Sequence, residues 1–144
     1  MKDKITIAID AMGGENSPDK TIHGLAMFLK KNRNPKNCFF KLFGNEKLIK
    51  EKMKKYNIFS SNINIYNTLS VVSDEETPLT AIKNSKDSSM WKSINSQAAD
   101  DSDISLSAGN TGVLFVISRM ILKTIDGVSK PALAGLWTNK KGVS

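Results

Sequence analysis

A short run of small and polar residues, Ser107-Ala108-Gly109-Asn110-Thr111-Gly112, stands between a predicted strand and a predicted helix. Its two glycines permit close approach to the backbone, and its serine, asparagine and threonine side chains can form hydrogen bonds. In a parallel α/β sheet, free N–H groups and the positive end of a helix meet at such an elbow and favour phosphate or carboxylate. On spacing alone, a structural turn is as good an interpretation as an anion site.

A second elbow follows the first predicted strand, where Asp10 ends the strand and Gly13 and Gly14 come just beyond it. Ligands of parallel α/β sheets bind outside the carboxyl ends of the strands, so this elbow is a candidate for the same site. Neither elbow matches the glycine patterns of dinucleotide-binding or P-loop proteins, which disfavours both nucleotide-binding classes.

Other polar residues give weaker signals. Lys83 and Lys86 precede Ser88 and Ser89 at a predicted helix start and make a plausible second anion contact, although a solvated pair of lysines is the alternative. The single histidine, His23, has no partner nearby in sequence, and a structural role at or near the surface is favoured. We find no spacing typical of metal ligands and predict neither a metal nor a cofactor.

Hydrophobic periodicity predicts strands that alternate with helices, and hence an α/β fold with a mainly parallel sheet. Strands are expected at Lys4–Asp10, Cys38–Phe43, Ile63–Asn67, Ile104–Ser107 and Lys130–Trp137. The first helix is expected from an N-cap at Ser17 to about Lys31, and further helices are expected to begin at Asn45 and at Pro78. A fourth helix, capped by Ser88 or Ser89, would turn Met90, Trp91, Ile94 and Ala98 inward. The last helix is expected from Thr111 to about Lys123, with a stop near Gly127.

The composition is that of a globular domain: 144 residues, 40% of them hydrophobic and 24% charged. No apolar run approaches the roughly 20 residues that span a bilayer, and no signal peptide is recognisable at the start, so we expect a cytoplasmic protein. The net charge of +7 comes mostly from lysines between Lys30 and Lys55. A solvated helix face explains them best; an acidic carrier protein, an anionic membrane or nucleic acid are the alternatives, and the scarcity of arginine disfavours nucleic acid.

Four segments in order resemble one family of proteins. "IAIDAMGGENSP", "PLTAIKNSKDSSM", "SAGNTGVLF" and "IDGVSKPALAG" resemble motifs of the PlsX family, the bacterial phosphate acyltransferases of fatty acid and phospholipid synthesis. Each motif alone is modest evidence, but their order and spacing agree across the whole chain. Lys83 departs from the arginine that is commoner in the family, and it would lose bidentate contact with phosphate.

This resemblance implies a three-layer α/β/α fold related to phosphotransacetylase and the isocitrate-dehydrogenase-like group. It implies formation of acyl phosphate from acyl-[acyl carrier protein] and inorganic phosphate, without a cofactor, by a homodimer that associates loosely with the inner face of the membrane. Carried over by position, the catalytic residues would be Asp10, Asn110 and Thr111. The substrate-binding residues would be Gly13, Gly14, Lys83, Lys86, Ser88, Ser89, Ser107, Gly109 and Gly112.

Family members are more than twice as long as this chain. We therefore expect residues 1–144 to be the N-terminal portion of one PlsX-like domain, inactive by itself. The alternative is a truncated, non-catalytic domain that retains some binding of phosphate or other anions.

Overall fold

The structure is a computed structural model that describes residues 4–32 and 35–135, together with the backbone of residues 138–139 and 142–143. The strands are β1 (Ile5–Asp10), β2 (Cys38–Gly44), β3 (Ile63–Asn67), β4 (Ile104–Leu106), β5 (Thr138–Asn139) and β6 (Gly142–Val143). The helices are α1 (Asp19–Lys31), α2 (Glu46–Lys55), α3 (Pro78–Asn84), α4 (Ser89–Ala98) and α5 (Thr111–Leu122).

Strands β1 to β4 form one parallel sheet in the order β3-β2-β1-β4, and β5 pairs with β6 in a separate antiparallel ribbon. Ile9 of β1 lies beside Leu42 of β2 on one side and beside Leu106 of β4 on the other. Because β1 and β4 are adjacent and parallel, the two elbows that follow them emerge next to each other.

The helices cover both faces of this sheet. Helices α1 and α2 share a core cluster with one face, in which Ile22, Leu25 and Ile49 pack against Phe40 and Leu42. Helix α4 packs against β1, β2 and β4, and with α3 and α5 it encloses a second cluster that includes Met90, Ile94, Val113 and Ile117. The predicted three-layer α/β/α fold is confirmed. Among the described residues, no helix combines the length and the apolar character needed to cross a membrane.

One part of the sheet is left uncovered. Ile104 and Leu106 of β4 are 48% and 56% exposed, and β4 is the last strand on its side of the sheet within the described residues. Beside it, a groove of about 580 Å³ runs between β4 and α1, with Ile7, Ile9 and Phe28 in its apolar lining.

Polar side chains begin four of the helices. Asn45, Thr77, Ser88 and Asn110 each accept a hydrogen bond from the backbone N–H three residues ahead, which satisfies a donor that the helix leaves unpaired. The predicted cap at Ser17 is wrong. Helix α1 begins at Asp19 after Pro18, and the Ser17 hydroxyl donates instead to the carbonyl of Gly13.

The expected end of α5 agrees with the structure, and two further expectations are corrected. Helix α5 ends at Leu122, within one residue of the expected end near Lys123, because Lys123 adopts a positive φ of 63° that interrupts the helix. Residues 130–135 form no strand, and the rest of the predicted strand, residues 136–137, lies outside the described residues. Ala98 is exposed rather than inward-facing, since it lies in the last turn of α4.

Helices α1 and α2 are joined at the surface by Asp19. Its carboxylate accepts hydrogen bonds from Lys55 Nζ at 2.8 Å and from the Tyr56 hydroxyl at 2.7 Å. These two donors, in that order, lower the pKa of Asp19 from 3.8 to about 2. The carboxylate therefore favours the folded state most when it is charged.

We predict a pH-dependent contribution of Asp19 to stability. Because its pKa is lower in the folded than in the unfolded protein, the contribution is complete above pH 3.8 and is lost as the pH falls towards 2. In urea unfolding experiments, Asp19→Asn should be less stable than the wild type at pH 5, and the two should converge near pH 2. A constant difference across that range would contradict the prediction.

Candidate functional site

The Asp10 carboxylate joins the two elbows. Its Oδ1 accepts hydrogen bonds from the backbone N–H groups of Met12 at 3.2 Å and Gly13 at 3.1 Å. Its Oδ2 accepts a hydrogen bond at 2.7 Å from the hydroxyl of Ser107, which belongs to the second elbow. Asp10 is 2% exposed, so these three donors take the place of water around the carboxylate.

Glycine is required where the elbows touch. A Cβ on Gly13 would lie 2.5 Å from Asp10 Oδ2 and 2.9 Å from both Ser107 Oγ and the backbone nitrogen of Gly109. Gly14 has a positive φ of 86°, and a Cβ there would lie 2.5 Å from the carbonyl oxygen of Ala108. The two loops are therefore in backbone contact, which no larger residue at these positions would permit.

Asn110 connects the second elbow to the loop before α3. Its Oδ1 caps α5 by accepting from the Val113 N–H at 3.1 Å. Its Nδ2 donates to the carbonyl oxygens of Glu76 at 2.9 Å, Asp74 at 3.0 Å and Ser73 at 3.4 Å. Both ends of this side chain are thus engaged in holding the backbone of the site.

Free hydrogen-bond donors lie at the start of α5. The backbone N–H groups of Thr111 and Gly112 have no acceptor among the described residues. The Thr111 hydroxyl also has no hydrogen-bond partner among them. Thr111 and Gly112 are both exposed. Two free N–H groups, a hydroxyl and the positive end of a 12-residue helix suit an anion.

The start of α4 packs against the second elbow. Ser88 caps α4, and the Ser89 N–H donates to the carbonyl of Ser70 at 3.2 Å. A Cβ on Gly109 would lie 3.0 Å from the terminal methyl of Met90, so this helix start packs directly under the second elbow. Ser88 and Ser89 are 1% and 0% exposed, and so in this conformation they support the loop rather than face solvent.

Lys83 and Lys86 are exposed, and their ammonium groups make no hydrogen bond or ion pair with any residue that the structure describes. Within the described part of the chain, no hydrogen bond or ion pair links these two side chains to the elbows. Within the described ranges, no group of three or more histidine, cysteine, aspartate or glutamate side chains is arranged to hold a metal ion.

The structure thus brings most of the predicted site residues together in direct contact. Those in contact are Asp10, Gly13, Gly14, Ser107, Gly109 and Asn110, and Thr111 and Gly112 continue directly from them. Sequence reasoning missed the carbonyl groups of residues 73–76 as partners of Asn110. No local pattern reveals such a contact, because it joins segments 34 to 37 residues apart.

Comparison with known proteins places this arrangement in a family. Residues 5–144 match the sequence pattern of a family described as "Fatty acid synthesis protein". The chain belongs to this family, the PlsX family. The resemblance found in the four motifs is confirmed.

Several similar proteins bear the name phosphate acyltransferase. That of Pelagibacter ubique is 44% identical over 142 residues, which are 97% of this chain and 40% of the relative. Those of Azorhizobium caulinodans and Methylocella silvestris are each 35% identical, over 100% and 99% of this chain and 40% and 38% of their own lengths. The chain therefore spans about 40% of the length of these PlsX-family relatives.

We predict that Gly13→Ala destabilises this PlsX-family chain by about 1–3 kcal/mol, because the added methyl group has no space beside Asp10 and Ser107. The matched control is Gly24→Ala in α1, where a Cβ would meet nothing within 4 Å. That substitution should stabilise the helix by about 0.5–1 kcal/mol. Urea unfolding of both variants measures the difference, and equal effects would contradict the proposed contact between the elbows.

We also predict that Asn110→Asp loosens the loop of residues 73–76. Aspartate retains the acceptor that caps α5 but replaces the donor to three carbonyl groups with a negative oxygen. With each hydrogen bond worth about 1 kcal/mol, the amides of Glu75 and Glu76 should exchange with solvent at least roughly tenfold faster.

Asn45→Asp is the control for this exchange experiment. Asn45 caps α2 through the same oxygen, but its Nδ2 has no partner among the described residues. Exchange around Asn45 should change little. If residues 73–76 kept their wild-type exchange rates in Asn110→Asp, Asn110 would not be holding that loop.

Proposed function

We propose that the native polypeptide containing this chain is a phosphate acyltransferase that makes acyl phosphate from acyl-[acyl carrier protein] and inorganic phosphate. The observation that carries the proposal is the set of free donors at Thr111 and Gly112, held at a strand end by the contacts of Asp10 and Asn110. The name phosphate acyltransferase of the relatives supports the same activity.

In this proposal, phosphate binds at the first turn of α5. The N–H groups of Thr111 and Gly112 and the Thr111 hydroxyl donate to its oxygens, and the helix dipole adds about 0.3–1 kcal/mol at an exposed site. Asp10 and Asn110 act as positioning residues, because all their hydrogen bonds hold the two elbows and the 73–76 loop in place. Lys83 and Lys86 are available for a second contact with the anion.

The reaction needs no covalent intermediate on the protein. An oxygen of phosphate attacks the carbonyl carbon of the thioester, the carbon–sulfur bond breaks, and the carrier thiolate leaves and takes up a proton. The elbow would hold phosphate in line with the carbonyl and so reduce the entropic cost of a bimolecular reaction. N–H donors near the developing oxyanion would stabilise the tetrahedral transition state.

The remaining features are part of the same proposal. The acyl carrier protein is the acyl donor, the active protein is a homodimer in the cytoplasm, and it associates peripherally with the membrane. Since the chain spans about 40% of the length of its relatives, these proposals concern the whole polypeptide.

We predict that Thr111→Val in the native polypeptide raises the KM for phosphate by roughly tenfold to a hundredfold. Valine has nearly the shape of threonine but lacks the hydroxyl, and a hydrogen bond to a charged group is worth about 1.5–3 kcal/mol. Thr111→Ser, which keeps the hydroxyl, should restore a KM near the wild-type value. The measurement is acyl phosphate formed from palmitoyl-[acyl carrier protein] as phosphate is varied.

The decisive result is the response to phosphate. An unchanged KM for phosphate in Thr111→Val would contradict binding at the start of α5. Absence of phosphate-dependent acyl transfer by the wild-type polypeptide would contradict the proposed activity itself.

A further inference from the structure

A second concave surface lies on the layer formed by α1 and α2, and none of its residues belongs to the two elbows. It is a cleft of about 450 Å³ between α1 and the segment that follows α2. Buried Leu29 and Ile58 form its floor. Met27 and Phe59 border it and are 62% and 81% exposed, so the cleft has an apolar rim as well as an apolar floor. We call this surface the Met27–Phe59 cleft.

The position of Phe59 is fixed by the end of α2. Asn57 has a positive φ of 53°, and its N–H donates to the carbonyl of Lys54. The Ile58 N–H donates to the carbonyl of Met53 at 2.9 Å. This pair of hydrogen bonds is a Schellman cap, which sets the direction of the chain after the helix. Phe59 is therefore presented to solvent from an ordered backbone.

The aromatic part of the cleft lining is also organised in advance. The rings of His23 and Tyr56 stack with their centroids 4.7 Å apart and an angle of 11° between their planes. The Tyr56 hydroxyl donates to Asp19, which fixes the ring between the two helices. A ligand would therefore bind a preformed apolar and aromatic surface, and little conformational entropy would be lost in ordering it.

The chain segment from the end of α1 to the end of the cleft is strongly basic. Residues 30–59 contain ten lysines and arginines and two glutamates, a charge of +8 that exceeds the +7 of the whole chain. Lys30, which lines the cleft, and Lys31 and Lys54 nearby in the chain are exposed. Their ammonium groups have no ion-pair partner among the described residues. Other lysines of the same segment form ion pairs within the chain, namely Lys41, Lys50, Lys52 and Lys55. The ammonium groups of Lys30, Lys31 and Lys54 are available to a partner of opposite sign.

We propose that the Met27–Phe59 cleft docks an acidic protein, which inserts an apolar side chain between Met27 and Phe59 while its carboxylates face the lysines. An exposed aromatic anchor surrounded by charge is the arrangement of a protein-binding hot spot. A membrane fits less well, because the apolar floor at Leu29 and Ile58 is recessed and a lipid surface would have to enter a concave site.

The proposal identifies the acidic partner as the acyl donor, and this identification rests on the proposed function. The acyl carrier protein that the proposed reaction requires is the acidic partner to be tested. Docking and chemistry are separable, because none of the cleft residues takes part in the contacts at Thr111 and Gly112.

The test uses the native polypeptide and purified octanoyl-[acyl carrier protein], with binding measured by titration calorimetry at about 50 mM and about 200 mM NaCl. Phe59→Ser should weaken binding at least tenfold at both salt concentrations, as loss of an aromatic anchor does. The double variant Lys30→Glu, Lys54→Glu should weaken it about tenfold at low salt and less at high salt.

Two control variants match these changes elsewhere on the surface. Ile125 is 79% exposed, close to the 81% of Phe59, so Ile125→Ser removes a comparable apolar side chain. Lys130→Glu reverses the charge at an exposed position far along the chain from the cleft residues. Both should bind the carrier protein as the wild type does, and thermal unfolding should be the same for all variants.

The proposal is overturned if Phe59→Ser binds the carrier protein with wild-type affinity. It is also overturned if Phe59→Ser instead abolishes binding to vesicles of equal parts phosphatidylglycerol and phosphatidylcholine, which would make the cleft a lipid contact. Turnover of octanoyl-N-acetylcysteamine, a thioester without a protein, should be unchanged in the cleft variants. One result would separate the two proposals: neither the wild type nor any variant forms acyl phosphate, but carrier binding still requires Phe59. In that case the proposed function would be wrong and the docking surface would be supported.

Discussion

The buried carboxylate of Asp10 is the interaction on which the rest of the site depends. It accepts hydrogen bonds from its own elbow, at Met12 and Gly13, and from Ser107 on the neighbouring elbow. Burying a carboxylate is costly unless such donors surround it, so the position of Asp10 largely dictates where both loops must lie. The absence of side chains on Gly13 and Gly109 then lets the two backbones meet. From that contact follow the orientation of Asn110 and the direction in which α5 begins.

The structure separates residues that build the site from residues that are free to act in it. Asp10, Ser107 and Asn110 have the most conspicuous chemistry in the sequence, yet their polar atoms are occupied in holding loops together. Groups left without partners in the described part of the chain are less conspicuous, and they include two backbone N–H groups and a threonine hydroxyl at the start of α5. An elbow that binds phosphate needs both kinds, because donors aimed at an anion are effective when they do not have to reorganise.

How much of this could be predicted from the sequence depends on the range of the interaction. Local periodicity and local hydrogen bonds predict the strands β1 to β4, the helix starts at Asn45 and Thr111 and the cap at Ser88, and the structure agrees with them. Two contacts were not predictable. Ser17 bonds to nearby Gly13 rather than capping α1, and Asn110 holds the 73–76 loop, which lies 34 to 37 residues away in the chain. The apolar residues 130–135 resembled a strand, but a strand requires a neighbouring strand, and none pairs with them in the described part of the chain.

The pairing of β1 with β4 has a consequence for the order of folding. Asp10 and Ser107, like Thr6 and Asp103, are 97 residues apart, and β2, β3 and four helices lie between them. The neighbouring strands β1, β2 and β3 close much shorter loops, and contacts between distant residues carry the greater entropic cost. The elbow that presents Thr111 can therefore reach its final geometry only after β4 has joined β1. Binding of an anion there would report that the last strand of the described sheet is in place.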